Sequence, residues 1–364
     1  MSAKYIQLAN QLKNFIQKNL ESDAICQLPT ESALCQTYSV SRQTVRKALS
    51  VLAEEHLIQK RHGSGSYAVR TPQHNDTSQI AILVHSNTEY IYPRLLADLC
   101  GALQRYGFSW TVYVTENQIA REREILEFLL ENQDNSVRAI VSEGCKTSFP
   151  TPNEDLYRRL AQKHVALLFF RGSYINLPDI PSIKDDNYNG GLALGQYLVS
   201  LGHHQIGGIF KTDEIQGVEQ CSGLLSALRD ARLLSCENSI CNIDTQQLAA
   251  LQKKQDTGFL SDFLDRQLKS VTAIVCCDDE IAYWLIKELN YRKMRVPNDV
   301  SVVCFGSSYL SDLSTVPITS YAQKEHDLGT AAAASILKLI KGKFISPQRL
   351  PWQLVIKRSA APPA

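Results

Sequence analysis

The sequence predicts a chain of two folded parts. A small α+β head fills about 70 residues, and a larger α/β body in two lobes, built on parallel sheets, fills the rest. Three observations carry this reading. The length of 364 residues exceeds what one small core fills. Residues 1–72 hold nine Lys or Arg and five Asp or Glu, a net +4, which leaves −3 for the remainder of a chain whose total is +1. Near residue 79 the apolar pattern changes from helical spacing to short runs that alternate with helical stretches.

In the head, Tyr5, Leu8, Ala9, Leu12, Phe15 and Ile16 recur on one helical face. Leu28-Pro29-Thr30-Glu31 reads as the start of a second, short helix that ends near Tyr38: Thr30 can cap, and Glu31 suits the positive end of the dipole. Ser39-Val40 is a tight turn, and Ser41 caps a third helix. Val45, Ala48, Leu49 and Leu52 face inward on that helix, which leaves Arg42, Gln43, Thr44, Arg46 and Lys47 near its exposed N-terminal end. Such residues suit the major groove, where Arg bridges guanine O6 and N7 and Gln bridges adenine N6 and N7. Residues 57–61 and 66–69 flank His62-Gly63-Ser64-Gly65, a hairpin whose glycines permit close approach to a sugar-phosphate backbone. A catalytic phosphate loop is the rival reading of these glycines, but GKS/T and a following helix are missing.

Residues 71–78 are polar and aperiodic, the composition of a linker. Beyond them, apolar runs at 80–84, 111–114, 139–141, 165–170, 206–210, 273–276 and 300–304 predict strands, with helices between them, for example at 93–105, 122–131, 190–200 and 220–231. This alternation predicts two parallel sheets, whose ligands bind beyond the C-terminal strand ends. The polar and aromatic groups there are His85, Ser86, Tyr90, Tyr92, Glu143, Arg171, Asp185, Asp186, Lys211, Asp213, Glu214, Gln216, Asp278, Asp279 and Glu280. Of these, Tyr90, Tyr92, Glu143, Arg171, Asp186, Lys211, Gln216 and Asp279 are the expected effector contacts. Rings cover the C–H faces of a polyhydroxylated ligand, while forked donors and carboxylates bond its hydroxyls.

Several classes are excluded on this reading. No apolar run reaches 18 residues, so no spanning helix is expected, and residues 1–20 lack a secretory pattern. Ten cysteines without a CxxC pair read as free thiols of a cytoplasmic protein. Cys276 and Cys277, being adjacent, point to opposite faces of a strand and make an awkward metal pair, so no metal is expected. His203-His204 closes a helix. No GxGxxG follows the first strand of the body, and no cofactor is expected. The cleft carboxylates lack a recognisable nucleophile environment, and no enzyme activity is expected.

LPTESALCQTYSVSRQTVRKALSVLAEEHLIQKRHGSGSYA resembles the winged helix-turn-helix of GntR-type transcription regulators, a likeness that covers residues 3–70. It implies base reading by Arg42, Gln43, Thr44 and Arg46, with Gly63 and its neighbours probing the minor groove. Thr30, Glu31, Ser41, Lys47, Arg61, His62 and Ser64 complete the implied DNA surface. Ser32 stands where many members carry a phosphate-contacting Arg.

Residues 79–359 are similar to the LacI/GalR regulators, whose effector domain looks like a periplasmic sugar-binding protein. The matching elements are Asp185 to Gly191, Leu201-Gly202-His203, Cys277 to Ala282, Val296 to Val302 and Leu354 to Ser359. The fusion resembles the arabinose-repressor group. Gln220 stands at the family's ligand-gripping Arg, and Ser307 in its G-Y/F-D-D element; both join the implied effector site.

The likeness implies a winged helix-turn-helix (1–70), a linker (71–78) and a two-lobed periplasmic-binding-protein-like domain (79–364). Lobe one would be 79–183 plus 312–342, and lobe two 184–311 plus 343–364. The implied function is a ligand-responsive repressor of carbohydrate-utilisation genes. It would bind a palindromic double-stranded operator as a homodimer and respond to a sugar or sugar-like effector, with L-arabinose among the candidates. The rival reading is a cytoplasmic sugar-binding or sugar-processing protein whose head binds a protein partner.

Overall fold

The computed structural model describes residues 5, 8–9, 11–13, 26–38, 40–54, 58–61, 65–68, 79–88, 91–131, 137–323 and 327–363. The chain forms two compact units, Met1–Asp76 and Thr77–Ala364. Among the described residues, no helix is long and apolar enough to cross a membrane.

In the first unit, helices Glu31–Tyr38 and Arg42–Glu54 lie beside strands β1 (Cys26–Gln27), β2 (Ile58–Arg61) and β3 (Gly65–Ala68). The three strands pair antiparallel in the order β1-β3-β2. Both expected caps form: Thr30 Oγ1 accepts from the Ala33 amide at 3.3 Å, and Ser41 Oγ from the Thr44 amide at 3.2 Å. Leu8, Ala9, Leu12, Leu28, Leu34, Val45, Ala48, Leu49 and Leu52 form one buried core. Phe15 and Ile16, the His62–Ser64 tip and the expected linker lie outside the described residues.

The second unit holds two six-stranded sheets. The first runs β14-β8-β7-β6-β4-β5 and is parallel throughout. Its strands are β4 (Gln79–Val84), β5 (Ser109–Val114), β6 (Val137–Ser142), β7 (Ala166–Phe170), β8 (Ser182–Asp185) and β14 (Gln348–Leu350). The second sheet runs β10-β9-β11-β12-β13-β15, with only the β13–β15 pair antiparallel. It is built from β9 (Ile206–Lys211), β10 (Ile240–Ile243), β11 (Ala273–Cys276), β12 (Ser301–Phe305), β13 (Thr319–Gln323) and β15 (Trp352–Val355). Runs buried on both faces, such as those of β4 and β9, are what helix-covered parallel strands require.

The chain passes between the lobes three times, after β8, after β13 and between β14 and β15. The expected lobe boundaries need two corrections. Residues 319–323, expected in lobe one, pair with β12 in the second sheet. Residues 348–350, expected in lobe two, pair with β8 in the first. The reason is visible in the sequence only afterwards: β13 and β14 carry few apolar residues, so neither announces which core it joins.

Helices Asn187–Ser200 and Ile215–Asp230 pack backbone to backbone at glycines. A Cβ on Gly223 would stand 2.0 Å from the Tyr188 carbonyl oxygen, and one on Gly191 2.1 Å from that of Gln220. This contact fixes where the second helix begins, and hence where Glu214, Gln216 and Gln220 sit. Gly223→Ala is predicted to cost about 1–3 kcal/mol, through forced separation of the two helices. A lowered urea midpoint checks it, and an unchanged midpoint refutes the close-packing argument.

Candidate functional site

The first unit presents one polar surface of interest. Because Val45, Ala48, Leu49 and Leu52 are buried, Arg42, Gln43, Arg46 and Lys47 are turned outward and exposed. Arg46 Nε lies 3.0 Å from Glu31 Oε2, and Arg42 Nη2 donates to Ser32 Oγ at 3.4 Å. The Lys47 ammonium stands 5.6 Å from the Tyr5 ring centroid. Such exposed contacts are worth about 0–1 kcal/mol and break at small cost when a polyanion offers better partners. Ser41 and Thr44, whose hydroxyls lie 2.9 Å apart, are engaged at the helix start. Of the expected DNA contacts, the Arg61 side chain and all of His62, Gly63 and Ser64 lie outside the described residues.

In the second unit, the residues that follow the parallel strands gather between the lobes. His85 follows β4, Asn117 follows β5, Lys146 follows β6 and Arg171 follows β7. From the other sheet come Lys211 at the end of β9, Thr245 after β10 and Asp278 after β11. Glu116, Asn117, Lys146 and Arg171 all adopt left-handed φ of 50–62°, uncommon for residues with a Cβ. His164, Arg232, Gln255 and Lys293 share this backbone outside the cavity linings.

Two cavities share a wall of Arg171, Gln216, Gln220, Cys277 and Asp278. The inner one, about 530 Å³, joins an apolar side formed by Phe305, Trp352, Leu95 and Leu328 to the polar groups of Asp185, Asn187 and Gln323. Trp352 Nε1 donates to Asp185 Oδ1 at 2.9 Å, and the Gln323 amide donates to the same oxygen. Burial raises the Asp185 carboxyl, against the pull of Arg171, Trp352 and Gln323. The outer cavity, about 630 Å³, is lined by His85, Asn117, Lys146, Lys211, Glu214 and Thr245 among others.

A polar network ties the two lobes together. Arg171 Nε donates to Glu143 Oε1 at 2.7 Å, and its Nη2 reaches across to Gln216 Oε1 at 3.2 Å. Asn117 Nδ2 donates to Glu214 Oε1 at 3.1 Å and to Thr245 Oγ1 at 2.6 Å. Lys146 pairs with Asp213, and the Ile215 amide donates to Thr147 Oγ1 at 3.1 Å. Within lobe two, Lys211 pairs with Glu214, and its Nζ lies 3.0 Å from Asp213. Burial opposes the charge on Glu214, yet Lys211 and His85 hold its carboxyl well below the usual range.

Of the expected effector contacts, Tyr92, Arg171, Lys211, Gln216, Gln220 and Ser307 line the cavities. Glu143 is buried just behind, where it accepts from Arg171 and from Tyr92 Oη at 3.0 Å. Tyr90 lies outside the described residues. Two expected contacts are corrected. Asp186 turns away from the cavities, accepts from Asn189 Nδ2 at 2.6 Å and lies 3.8 Å from Arg349; its neighbour Asp185, at the strand end, faces the cleft instead. Asp279, the first residue of its helix, is fully buried and accepts from the Ser308 amide at 2.6 Å. Asp278, which caps that helix through the Ile281 amide at 2.7 Å, takes the cleft position. Asn117, Lys146, Thr245, Gln323 and Trp352 were not anticipated. Their signal was positional, since each adjoins a strand end or a lobe crossing.

Burial and the neighbouring Glu280 push the Asp278 carboxyl up to about 7. An acid raised in the folded state destabilises once the unfolded chain ionises, so the penalty is absent below about pH 4 and complete above about pH 7. Asp278→Asn keeps a capping oxygen and removes the charge. It is predicted to raise the melting temperature by a few degrees at pH 8 and to leave it unchanged near pH 4. An equal shift at both pH values contradicts the burial argument.

Comparison with known proteins bears on both surfaces. Residues 5–67 match the gntR family of bacterial regulatory proteins. Residues 196–360 match the periplasmic binding protein-like domain. Over 341 residues the chain is 29% identical to the arabinose metabolism transcriptional repressor of Halalkalibacterium halodurans, covering 90% of this chain and 89% of that protein. The protein of the same name from Geobacillus stearothermophilus is 27% identical over 346 residues, covering 94% and 92%. The solved structure of the transcriptional regulator CelR in complex with cellobiose superposes with a TM-score of 0.64 at 21% identity, covering 88% of this chain and 91% of that one. The protein thus joins a helix-turn-helix segment of the gntR family of bacterial regulatory proteins to a periplasmic binding protein-like domain.

Proposed function

We propose that this protein is a sugar-responsive transcriptional repressor. Its head reads a double-stranded operator, and a sugar in the inner cavity controls that reading. The observation that carries the proposal is the inner cavity itself. Phe305 and Trp352 line it together with the polar groups of Asp185, Asp278 and Gln323, a set that suits a ring with C–H faces and hydroxyl edges. The two arabinose repressors similar to this chain support a neutral pentose as effector and L-arabinose as the first sugar to test. A regulator rather than a catalyst fits the cleft, because Glu143, Asp213 and Glu214 are all engaged by cations.

On the DNA side, the proposed base readers are Arg42, Gln43, Thr44 and Arg46, with Lys47, Thr30 and Ser41 on the backbone and Gly63 and its neighbours in the minor groove. The proposed operator is palindromic and read by two copies of the head, as in helix-turn-helix proteins that bind as dimers. Control requires that the sugar bind the DNA-competent and DNA-incompetent states unequally, typically by about 1–3 kcal/mol.

Arg42→Ala and Gln43→Ala are each predicted to weaken binding to a selected operator fragment by about 1–3 kcal/mol, with sugar affinity unchanged. Fluorescence anisotropy at fixed salt measures this. Trp352→Ala is predicted to do the reverse, abolishing release by L-arabinose while operator affinity stays intact. Operator affinity indifferent to both head substitutions refutes the base-reading assignment. A full sugar response in Trp352→Ala refutes the inner cavity as the effector site.

A further inference from the structure

His85 stands at the end of β4 with its side chain only 11% exposed, in the plane where the two lobes meet. Both of its ring nitrogens face acceptors. Nε2 lies 2.6 Å from the Gly144 carbonyl oxygen, which can only accept, so Nε2 carries a proton. Nδ1 lies 3.3 Å from Glu214 Oε1 and 3.6 Å from Glu143 Oε1. A neutral imidazole would turn a lone pair toward two carboxylates there, whereas an imidazolium donates on both sides. Glu143 and Gly144 belong to the first lobe and Glu214 to the second. We propose that His85 is a positioning residue of the closed cleft: as an imidazolium it ties Glu143 and Gly144 of one lobe to Glu214 of the other, so that closure takes up a proton.

The surrounding charges favour this state. From its own lobe His85 faces Glu143 and Cys145, with the buried Glu122 of helix Ile119–Glu131 behind. Arg171 and the Tyr92 hydroxyl occupy Glu143 from the far side. From the other lobe comes Glu214, itself held by Lys211 and by Asn117 of the first lobe. Burial alone would lower the His85 pKa, yet Glu143, Cys145 and Glu214 together raise it well above its ordinary value. With the lobes apart, Glu214 withdraws, so the His85 pKa falls below its closed-state value, while Glu143 and Cys145 of its own lobe stay beside the ring and keep part of the rise. Closure therefore has its full electrostatic support below the open-state value. The support is lost as pH rises through the higher closed-state value.

The test uses the full chain and needs neither sugar nor operator, so its failure is separable from failure of the repressor reading. The ring resonance of His85, identified by its loss in His85→Gln, is titrated by NMR. It is expected to titrate above about 6.5, and Glu214→Gln is expected to lower it by about one unit or more while the other histidines keep their values. In parallel, small-angle scattering of the wild type is expected to give a radius of gyration that increases as pH passes through the His85 titration. The His85→Gln variant should show no such step, which keeps the idea testable even where Glu214→Gln folds poorly. Titration at or below the ordinary value, an unmoved pKa in Glu214→Gln, or the same scattering step in His85→Gln overturns the proposal.

Discussion

Buried charges at the C-terminal ends of two facing parallel sheets must find partners, and in this protein they find many of them across the cleft. Lys146 meets Asp213, Asn117 meets Glu214 and Thr245, Arg171 meets Gln216, and the Ile215 amide meets Thr147. Each group left unpaired in that low-dielectric gap would carry a desolvation penalty of about 1–3 kcal/mol, and more where it is charged. The lobes are therefore coupled by electrostatics as well as by the three crossing strands. Anything that enters the cleft must replace contacts that already exist. That condition is what makes a cleft responsive: a ligand changes the balance between states only by differential contact with them.

The glycine-mediated packing of helices Asn187–Ser200 and Ile215–Asp230 sets the geometry on which this depends. It brings Gln216 to the start of one helix and Asn187 to the start of the other, both lining the inner cavity, with Glu214 just ahead in the outer one. The left-handed backbone at Glu116, Asn117, Lys146 and Arg171 does the same work on the facing lobe. Close packing on one side and local strain on the other fix the two halves of a polar surface that meets itself.

Much of the fold was legible in the sequence because burial writes itself into composition. The doubly buried runs of β4, β7, β9, β11 and β12 stand out as apolar segments, and the head helices stand out by spacing and caps. Strands β8, β13, β14 and β15 do not, since Ser182–Asp185 or Thr319–Gln323 read as polar segments until their neighbours are known. That is why the lobe boundaries shifted. The site was half legible for a related reason. Strand-end position selected Tyr92, Arg171, Lys211 and Gln216, which line the cavities, and Glu143, which lies just behind them. Position alone does not choose between adjacent residues: Asp186 stood in for Asp185, where one step at a strand end reverses a side chain, and the family resemblance pointed to Asp279 beside Asp278. Asn117, Lys146 and Thr245 carry only a positional signal, since each lies shortly beyond the end of β5, β6 or β10.

The division of charge seen in the sequence also gains a physical meaning. The positive head exposes Arg42, Arg46 and Lys47 in contacts weak enough to exchange for phosphate and bases, whereas the cleft of the body holds Arg171–Glu143 and Lys211–Glu214 as buried pairs. The central claim is that cross-cleft pairing couples the lobes. A double-mutant cycle with Lys146→Ala, Asp213→Ala and the double variant, followed by urea unfolding of the full chain, measures it most directly. The account predicts a favourable coupling energy of about 0.5–3 kcal/mol between the two sites. Strictly additive effects would contradict it, since the direct ion pair between Lys146 and Asp213 across the cleft would then contribute no coupling.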